Sequence, residues 1–247
     1  MALITPQQVI DIALTNKNTD QYLVKPAFVE IAELNFVQPS IGERLYEDIS
    51  EEINSSTQWT WDNVLCTTTA GSYVVSLNVP VDHVAIYDFI TSVDIPLYED
   101  NGSTDAACCR GFNKVADITI VAGNVTSFKM SAAAKTTNAA SLIKFRRPNG
   151  VLTEDYIKNY LAFCVKFEMM PDMSYNTTSQ GVVENVADFT MPVDSKKLNF
   201  LRNETFKKSD TYVRKMTEFL DENSNAYPHY CNENKGGVSK LNGIILY

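Results

Sequence analysis

The spacing of apolar residues changes along this chain and divides it into segments of different predicted structure. Over residues 1–56 and 151–225, apolar positions recur every three or four residues, which predicts helices. Residues 57–150 are rich in threonine, valine, serine and glycine, and their alternation of apolar and polar positions predicts short β-strands. Residues 226–247 show neither period and predict an extended C-terminal tail. The pattern predicts an α+β fold, in which a small antiparallel β domain, a sandwich or a barrel, is inserted into a helical core.

Capping signals in the first segment indicate where its helices begin. Thr5 and Gln8 form a capping box in front of the first apolar repeat. A second helix is predicted to end before Pro39, and a second capping box, Ser40 with Glu43, is predicted to begin a third. The predicted apolar stripes are Phe28, Ile31, Ala32 and Asn35 on the second helix, and Ile41, Leu45, Ile49 and Ile53 on the third.

The helical period returns after the β segment. Thr153 is predicted to cap a helix that runs to Pro171, and the polar residues 173–185 are predicted to form a loop. Residues 194–222 predict the longest helix, about 40 Å at roughly 1.5 Å per residue. Its predicted apolar stripe consists of Leu198, Leu201, Tyr212, Met216, Phe219 and Leu220.

The β segment carries the signals of short strands joined by tight turns. The pair Gly123–Asn124 predicts a hairpin turn, and residues 141–146 predict a closing strand. Helices precede and follow this segment, so it is predicted to be inserted with its two ends close together. One strand is predicted to present on one face Tyr73, Val75, Leu77 and Val79.

Composition and charge argue against several classes of protein. The 247 residues carry a formal charge of −9, whereas proteins that grip DNA electrostatically usually have a basic excess. Five cysteines at irregular spacing and two histidines predict free thiols and no zinc site. No catalytic motif is present, and His83 and His229 are interpreted as structural, so we expect no enzymatic activity and no cofactor. No apolar run reaches the length of a membrane span, and no export signal is predicted.

Two local features of the β segment leave alternatives open. The carboxylates Asp94, Glu99, Asp100 and Asp105 are interpreted as a solvated loop, because their spacing lacks the order of a calcium loop, although metal binding stays open. Trp59 and Trp61 are predicted to lie at a domain junction, and the alternative is that they stack on a sugar.

The long helix carries two rows of basic residues. Both rows can be a solvated helix face, or they can contact an acidic partner ring or DNA phosphates. One row flanks the apolar stripe and comprises Lys197, Lys208 and Lys215, whereas the other faces away from it and comprises Lys196, Lys207 and Arg214. We expect the second row to lie at an interface with another subunit or another ring rather than along a DNA path.

Several long stretches of the helical segments resemble known proteins. Residues 23–49 and 161–216, the aromatic motif Tyr-Pro-His-Tyr-Cys at 227–231, and the closing residues 236–247 resemble the head–tail connector proteins (adaptors) of tailed bacteriophages, in particular of crAss-like and related gut phages. The resemblance covers about the first fifth and the last two fifths of the chain. It does not extend to the β segment.

The resemblance implies a structural virion protein of the phage neck, assembled in the host bacterial cytoplasm. It implies a helical-bundle subunit of a dodecameric ring beneath the portal protein, contacting other neck or tail proteins, with duplex DNA passing through its lumen without specific binding and with no membrane contact. The tail would reach the portal ring through Tyr227, Pro228, Tyr230, Ile244, Ile245, Leu246 and Tyr247. The alternatives are another neck or tail ring protein, a stopper or tail-completion subunit, and a carbohydrate-binding or adhesin module carried by the β domain.

Overall fold

Helices from the two ends of the sequence pack together, and the strands between them form a curled antiparallel sheet. The computed structural model describes residues 2–14, 20–99, 111–178, 181–184 and 195–230, and for residues 173–178, 181–184 and 195 it describes the backbone only. Helices α1 (Pro6–Ala13), α2 (Pro26–Ala32), α3 (Gln38–Ile41) and α4 (Glu43–Asn54) precede the sheet. Helices α5 (Pro148–Val151), α6 (Lys158–Ser174) and α7 (Ser195–Glu222) follow it. The mixed α/β architecture predicted from the apolar spacing is confirmed.

The capping box predicted for α1 is present. The Thr5 hydroxyl accepts a hydrogen bond from the backbone N–H of Gln8 at 3.3 Å, and the Gln8 side chain accepts one from the Thr5 N–H at 2.9 Å. The C-terminal end of α1 is held by α6, because Lys166 Nζ donates to the carbonyl oxygen of Ala13 at 3.0 Å. Lys166 is partly buried there, and burial lowers the pKa of its ammonium group.

The predicted break at Pro39 and the capping box at Ser40 are wrong. A π turn (Glu33–Val37) joins α2 to α3, and in it the Gln38 N–H bonds to the carbonyl of Glu33, five residues back. The wider turn lets the helical path continue through Pro39, and Ser40 donates to the carbonyl of Phe36 at 2.6 Å instead of capping. The chain turns at Gly42, whose φ of 88° favours glycine, and α4 begins directly after it.

The apolar stripes of these helices agree with the prediction in one case and differ in the other. Leu45 and Ile49 of α4 are buried, as predicted, as is Ile41 at the end of α3, and Ile53 is partly buried. On α2 the predicted stripe is rotated from the real one. Ile31 is 43% exposed and Asn35 is exposed, whereas the buried positions are Val29, Ala32, Glu33, Phe36 and Val37. The buried positions recur at i, i+3, i+4, i+7 and i+8, so the helical period was predicted correctly and the buried face was misplaced by one residue.

Six strands form one sheet in the order β3-β6-β1-β2-β5-β4, with every neighbouring pair antiparallel. The strands are β1 (Thr60–Thr68), β2 (Val74–Val81), β3 (Phe89–Thr91), β4 (Val115–Val121), β5 (Asn124–Met130) and β6 (Asn138–Arg146). An isolated antiparallel bridge between Phe89 and Lys114 joins the two edges of the sheet at one end. The sheet therefore curls toward a barrel around its own apolar core, which includes Val75, Val115, Phe128, Ile143 and Phe145.

Two details of the sheet correct the predicted pattern. The β4–β5 turn consists of Ala122 and Gly123, both with positive φ (51° and 85°), so it lies one residue before the predicted pair. Two left-handed residues in a two-residue loop are typical of a hairpin turn that matches strand twist. Val79 is 65% exposed although Val75 is buried, because the register shifts in β2 between Ser76 and Val81.

The second helical segment begins earlier than predicted. It starts at Pro148 and runs through a π turn (Leu152–Ile157) into α6, so Thr153 lies inside the helical path and is fully buried rather than being a cap. Pro171 lies within α6, near its end. The predicted loop 173–185 contains a two-stranded hairpin, β7 (Tyr175–Thr178) with β8 (Gly181–Glu184). The long helix is confirmed as α7, which buries Met216, Phe219 and Leu220.

The connections to the sheet run side by side, and the two parts of the molecule share an aromatic cluster. The Arg147 N–H donates to the carbonyl of Trp59 at 2.8 Å, so the chain leaves the helices and returns to them at one place. Phe89 of β3 packs in the core formed by the helices, with its ring centroid 5.9 Å from that of Phe219. Phe112 contacts both rings, at 5.8 and 5.9 Å. The junction of strand and helix at Arg147 lies three residues before the predicted boundary at 150.

Candidate interaction surfaces

The solvent face of α7 is basic and carries an exposed aromatic ring. Lys196, Phe200, Lys207 and Arg214 recur at intervals of four and seven residues, which places them on one face, and all four are exposed. Phe200 is 61% exposed and Leu201 is 41% exposed. Phe200, which the predicted apolar stripe does not include, thus lies on the same face as the predicted row Lys196, Lys207 and Arg214. The signal that could have found Phe200 is its position opposite Tyr212, Met216 and Phe219 on the helix.

The N-terminal turns of α7 are exposed because the helix packs on α6 only further along. Phe206 packs at a tilt against Phe167 of α6, with ring centroids 5.8 Å apart, and Tyr212 stacks on Phe163 at 5.3 Å. Arg202 lies over the Phe167 ring at 4.3 Å from its centroid. Of these three residues Arg202 comes first along α7, and in the two turns before it Lys196, Phe200 and Leu201 are exposed.

Acidic neighbours on α7 partly neutralise the basic face. Lys207 Nζ lies 2.7 Å from Glu204 Oε1, and Arg214 Nε lies 3.5 Å from Asp210 Oδ2. Both basic side chains remain about 70% exposed, so these pairs are solvent-screened and contribute little to folding. In the other basic row, the charge of Lys208 contributes to lowering the pKa of Lys166, although burial of Lys166 has the larger effect.

An acidic face lies on α4. Glu43, Glu47 and Glu51 are spaced by four residues and exposed, and within the described residues they form no ion pair. This row is visible in the sequence as an i, i+4, i+8 repeat. Beside it, a cleft of about 520 Å³ opens between α4 and residues 226–229. Its lining is apolar at Leu45, Ala226, Tyr227 and Pro228, and acidic at Asp48, Glu51 and Glu52.

The root of the predicted tail is part of the folded core. Tyr227 is 2% exposed, its ring lies 5.8 Å from that of Phe219, and its hydroxyl donates to the carbonyl of Pro148 at 2.6 Å. Burial raises the pKa of Tyr227 well above 10. The segment from residue 226 is therefore not loosely held at its start, which corrects the predicted tail boundary.

The neighbouring tail residues differ from one another in exposure. His229 Nδ1 contacts Asp48 Oδ2 on α4, so this histidine has a hydrogen-bond partner within the chain. Tyr230 is half-buried against the helical core, and burial raises the pKa of its hydroxyl to about 12. Pro228 is exposed on the rim of the cleft. The other predicted partner-binding residues, Ile244, Ile245, Leu246 and Tyr247, lie outside the described residues.

The acidic residues of the β segment do not gather into one site. Asp94 is 8% exposed and accepts hydrogen bonds from Thr136 and Asn138, which lower its pKa, so it is a structural group rather than part of a solvated loop. Glu99 pairs with the buried Lys114 at 2.6 Å. Asp100 and Asp105 lie outside the described residues. Within the described ranges, the His, Cys, Asp and Glu side chains form no group of three that could hold a metal ion.

The two tryptophans are engaged within the chain. Trp61 stacks on the His83 ring at 4.9 Å, and Arg147 lies 4.9 Å from the centroid of the same indole. Arg147 also pairs at 3.0 Å with Asp88, a fully buried carboxylate whose pKa burial raises to about 6. Trp59 donates from Nε1 to Glu52 at 2.7 Å, at the junction of helices and sheet, as predicted.

Cys66 and Cys164 are free and buried, whereas Cys108, Cys109 and Cys231 lie outside the described residues. Burial raises the pKa of the Cys66 thiol to about 12, and it raises the pKa of Cys164 as well, so neither thiol is poised as a nucleophile. Among the described helices, none combines the length and hydropathy that would be needed to cross a bilayer.

The chain was compared with protein families, curated proteins and solved structures. The profile of a family of unknown function (DUF6712) matches residues 124–240, just under half of the chain. This range begins at β5 and takes in β6, α5, α6 and α7, so most of it is the second helical segment. No curated protein and no solved structure matches the chain.

Proposed function

We propose that this chain is a ring-forming head–tail connector subunit in the neck of a tailed bacteriophage. In this proposal a dodecameric ring, assembled in the host bacterial cytoplasm, sits beneath the portal protein and joins it to other neck or tail proteins. Duplex DNA passes through the lumen without specific binding. The chain acts as a structural protein, with no enzymatic activity and no cofactor.

One observation carries the proposal. The two long stretches that resemble connectors, 23–49 and 161–216, are separated by more than a hundred residues, yet they pack into a single apolar core. Ala32 and Ile41 from the first stretch and Leu161, Cys164 and Met216 from the second belong to that core. The resemblance is thus concentrated in one helical unit. The sheet is joined to this unit and has its own apolar core.

The charge distribution is also compatible with a DNA conduit. A net charge of −9 disfavours tight phosphate binding, which would slow DNA passing through a lumen. The exposed basic residues are concentrated on α7, where acidic neighbours partly neutralise them. This arrangement favours contact with a protein surface over a continuous phosphate-binding path.

The engagement of both tryptophans favours the connector over the adhesin alternative. Sugar-binding sites need an aromatic face open to solvent, and the Trp61 ring is stacked on His83 and contacted by Arg147. Trp59 packs against Gly150, at a distance that leaves no room for even a methyl group there.

Assembly with the portal protein tests the proposal. We expect the purified chain, mixed with the portal protein of the same virus, to form a ring complex that light scattering sizes and negative-stain imaging shows. Deleting residues 236–247 should abolish portal binding without changing the circular dichroism spectrum. A substitution control is Val93→Ser, because Val93 is 91% exposed on the β unit. If the chain instead stays monomeric with and without the portal protein, and binds glycans on an array, the adhesin alternative is supported. Rings that bind another neck protein but not portal would favour a stopper.

A further inference from the structure

The molecule has opposite charges near the two ends of α7. The helix has 28 residues, so its ends are about 42 Å apart. The basic and aromatic extension, with Lys196 and Phe200, lies at the N-terminal end. The chain that follows the C-terminal end folds back onto α4, where His229 meets Asp48. The acidic face of α4 and its cleft are therefore near the other end of α7.

Building on the proposed ring assembly, we propose that neighbouring copies of this chain contact each other head to tail, with the N-terminal half of α7 of one copy seated on the acidic face of α4 of the next. In this contact Phe200 enters the cleft beside Pro228. The lysines that flank it, Lys196 and Lys207, face the acidic row Glu43, Glu47 and Glu51.

The two charged rows are of similar length. Lys196 and Lys207 are eleven residues apart, about 16 Å along the helix, and Glu43 to Glu51 spans about 12 Å. Phe200 lies between the lysines, and the cleft of about 520 Å³ is lined partly by apolar and partly by acidic residues. A central aromatic anchor surrounded by charged contacts is the usual anatomy of an energetically important protein interface.

Charge complementarity selects a second copy in head-to-tail orientation. A two-fold contact between two α7 faces would set lysines against lysines, and a two-fold contact between α4 faces would set glutamates against glutamates. Of these three pairings, the heterologous one sets the lysine row against the glutamate row, and repetition of a heterologous contact closes into a ring when the rotation permits. Charge complementarity thus accounts for the contact between two copies and for its repetition from one copy to the next.

Reversing the charge of each face, alone and in combination, tests this contact. We expect Lys196→Glu with Lys207→Glu to raise the concentration for half-assembly at least tenfold, and Glu47→Lys with Glu51→Lys to do the same. The two variants mixed in equal amounts should assemble again, because each supplies the face that the other lacks. Phe200→Ala should weaken assembly at every salt concentration, whereas the charge effects should shrink as salt rises. Light scattering and negative-stain imaging measure assembly, and circular dichroism verifies that each variant is folded.

A matched control is Lys129→Glu with Lys135→Glu, which reverses two exposed lysines on the β unit and should leave assembly unchanged. If wild-type rings form and both reversed variants assemble equally well, this contact is wrong while the proposed function stands. Folded variants that lose assembly separately and fail to regain it when mixed would also overturn the pairing. If rings persist but the lysine variant loses salt-sensitive DNA binding, the basic face serves DNA instead. If the wild-type chain forms no ring, either alone or with the portal protein, both the proposed function and this contact are wrong.

Discussion

Replacing Tyr227 by phenylalanine and by alanine separates the two ways in which this side chain holds the end of α7. The hydroxyl donates to the carbonyl of Pro148 at 2.6 Å, and the ring packs against Phe219 with centroids 5.8 Å apart. Tyr227→Phe removes only the hydrogen bond. Tyr227→Ala also removes the ring and leaves a cavity where helices, sheet junction and tail root meet.

The burial of Tyr227 determines the expected magnitudes. The side chain is 2% exposed, so Tyr227→Phe leaves a carbonyl without its partner and should cost about 1–1.5 kcal/mol of unfolding free energy. Tyr227→Ala deletes a buried aromatic ring and should cost about 3–5 kcal/mol. In a chain of this length, about 1 kcal/mol corresponds to roughly 2–4 °C in Tm.

Thermal and urea unfolding followed by circular dichroism measure both variants. Tyr22 supplies the matched control, because it is 91% exposed, so Tyr22→Phe and Tyr22→Ala should change the unfolding free energy by no more than about 0.5 kcal/mol. If Tyr227→Ala is no more destabilising than Tyr22→Ala, residues 226–230 do not pack on the core and the tail begins at Ala226 after all. A phenylalanine variant as unstable as the alanine variant would show that the hydrogen bond, not the ring, dominates.

Two further predictions concern the junction of helices and sheet. Gly150→Ala should destabilise the protein by about 1–3 kcal/mol, the opposite of the usual gain in a helix, because a Cβ there would lie 2.4 Å from that of Trp59. Urea unfolding checks this, and Trp59→Gly in the same chain, which removes the clashing Cβ, should recover part of the loss. Burial raises the pKa of Asp88 from 3.8 to about 6, so between these values the folded state keeps a proton that the unfolded state has lost. The unfolding free energy contributed by Asp88 should therefore fall, by on the order of 3 kcal/mol, as pH rises from about 4 to about 6. Asp88→Asn should remove this slope in urea titrations at several pH values, and an unchanged slope would mean that Asp88 stays ionised despite its burial.

Elements governed by local periodicity could be predicted from the sequence. The capping box of Thr5 and Gln8, the α4 stripe and the extent of α7 follow from contacts within three or four residues, where side-chain chemistry acts directly on the neighbouring backbone. For the same reason the basic row of Lys196, Lys207 and Arg214 was visible as a repeat on one helix face. The acidic row Glu43, Glu47 and Glu51 of α4 is visible in the sequence in the same way.

Elements governed by distant contacts could not be predicted in this way. Pro39 and Thr153 looked like a helix break and a helix cap, but π turns carry the helical path through both, a local geometry that the tertiary packing selects. Tyr227 stands in a segment without any period, and its burial depends on Pro148, 79 residues away in the chain. The sequence alone therefore determined the main helical and strand segments, apart from the hairpin within residues 173–185, and where charge repeats. Only the tertiary structure decided which aromatic rings are buried and which, like Phe200, are left for a partner, because burial is set by the surfaces that meet and not by neighbours along the chain.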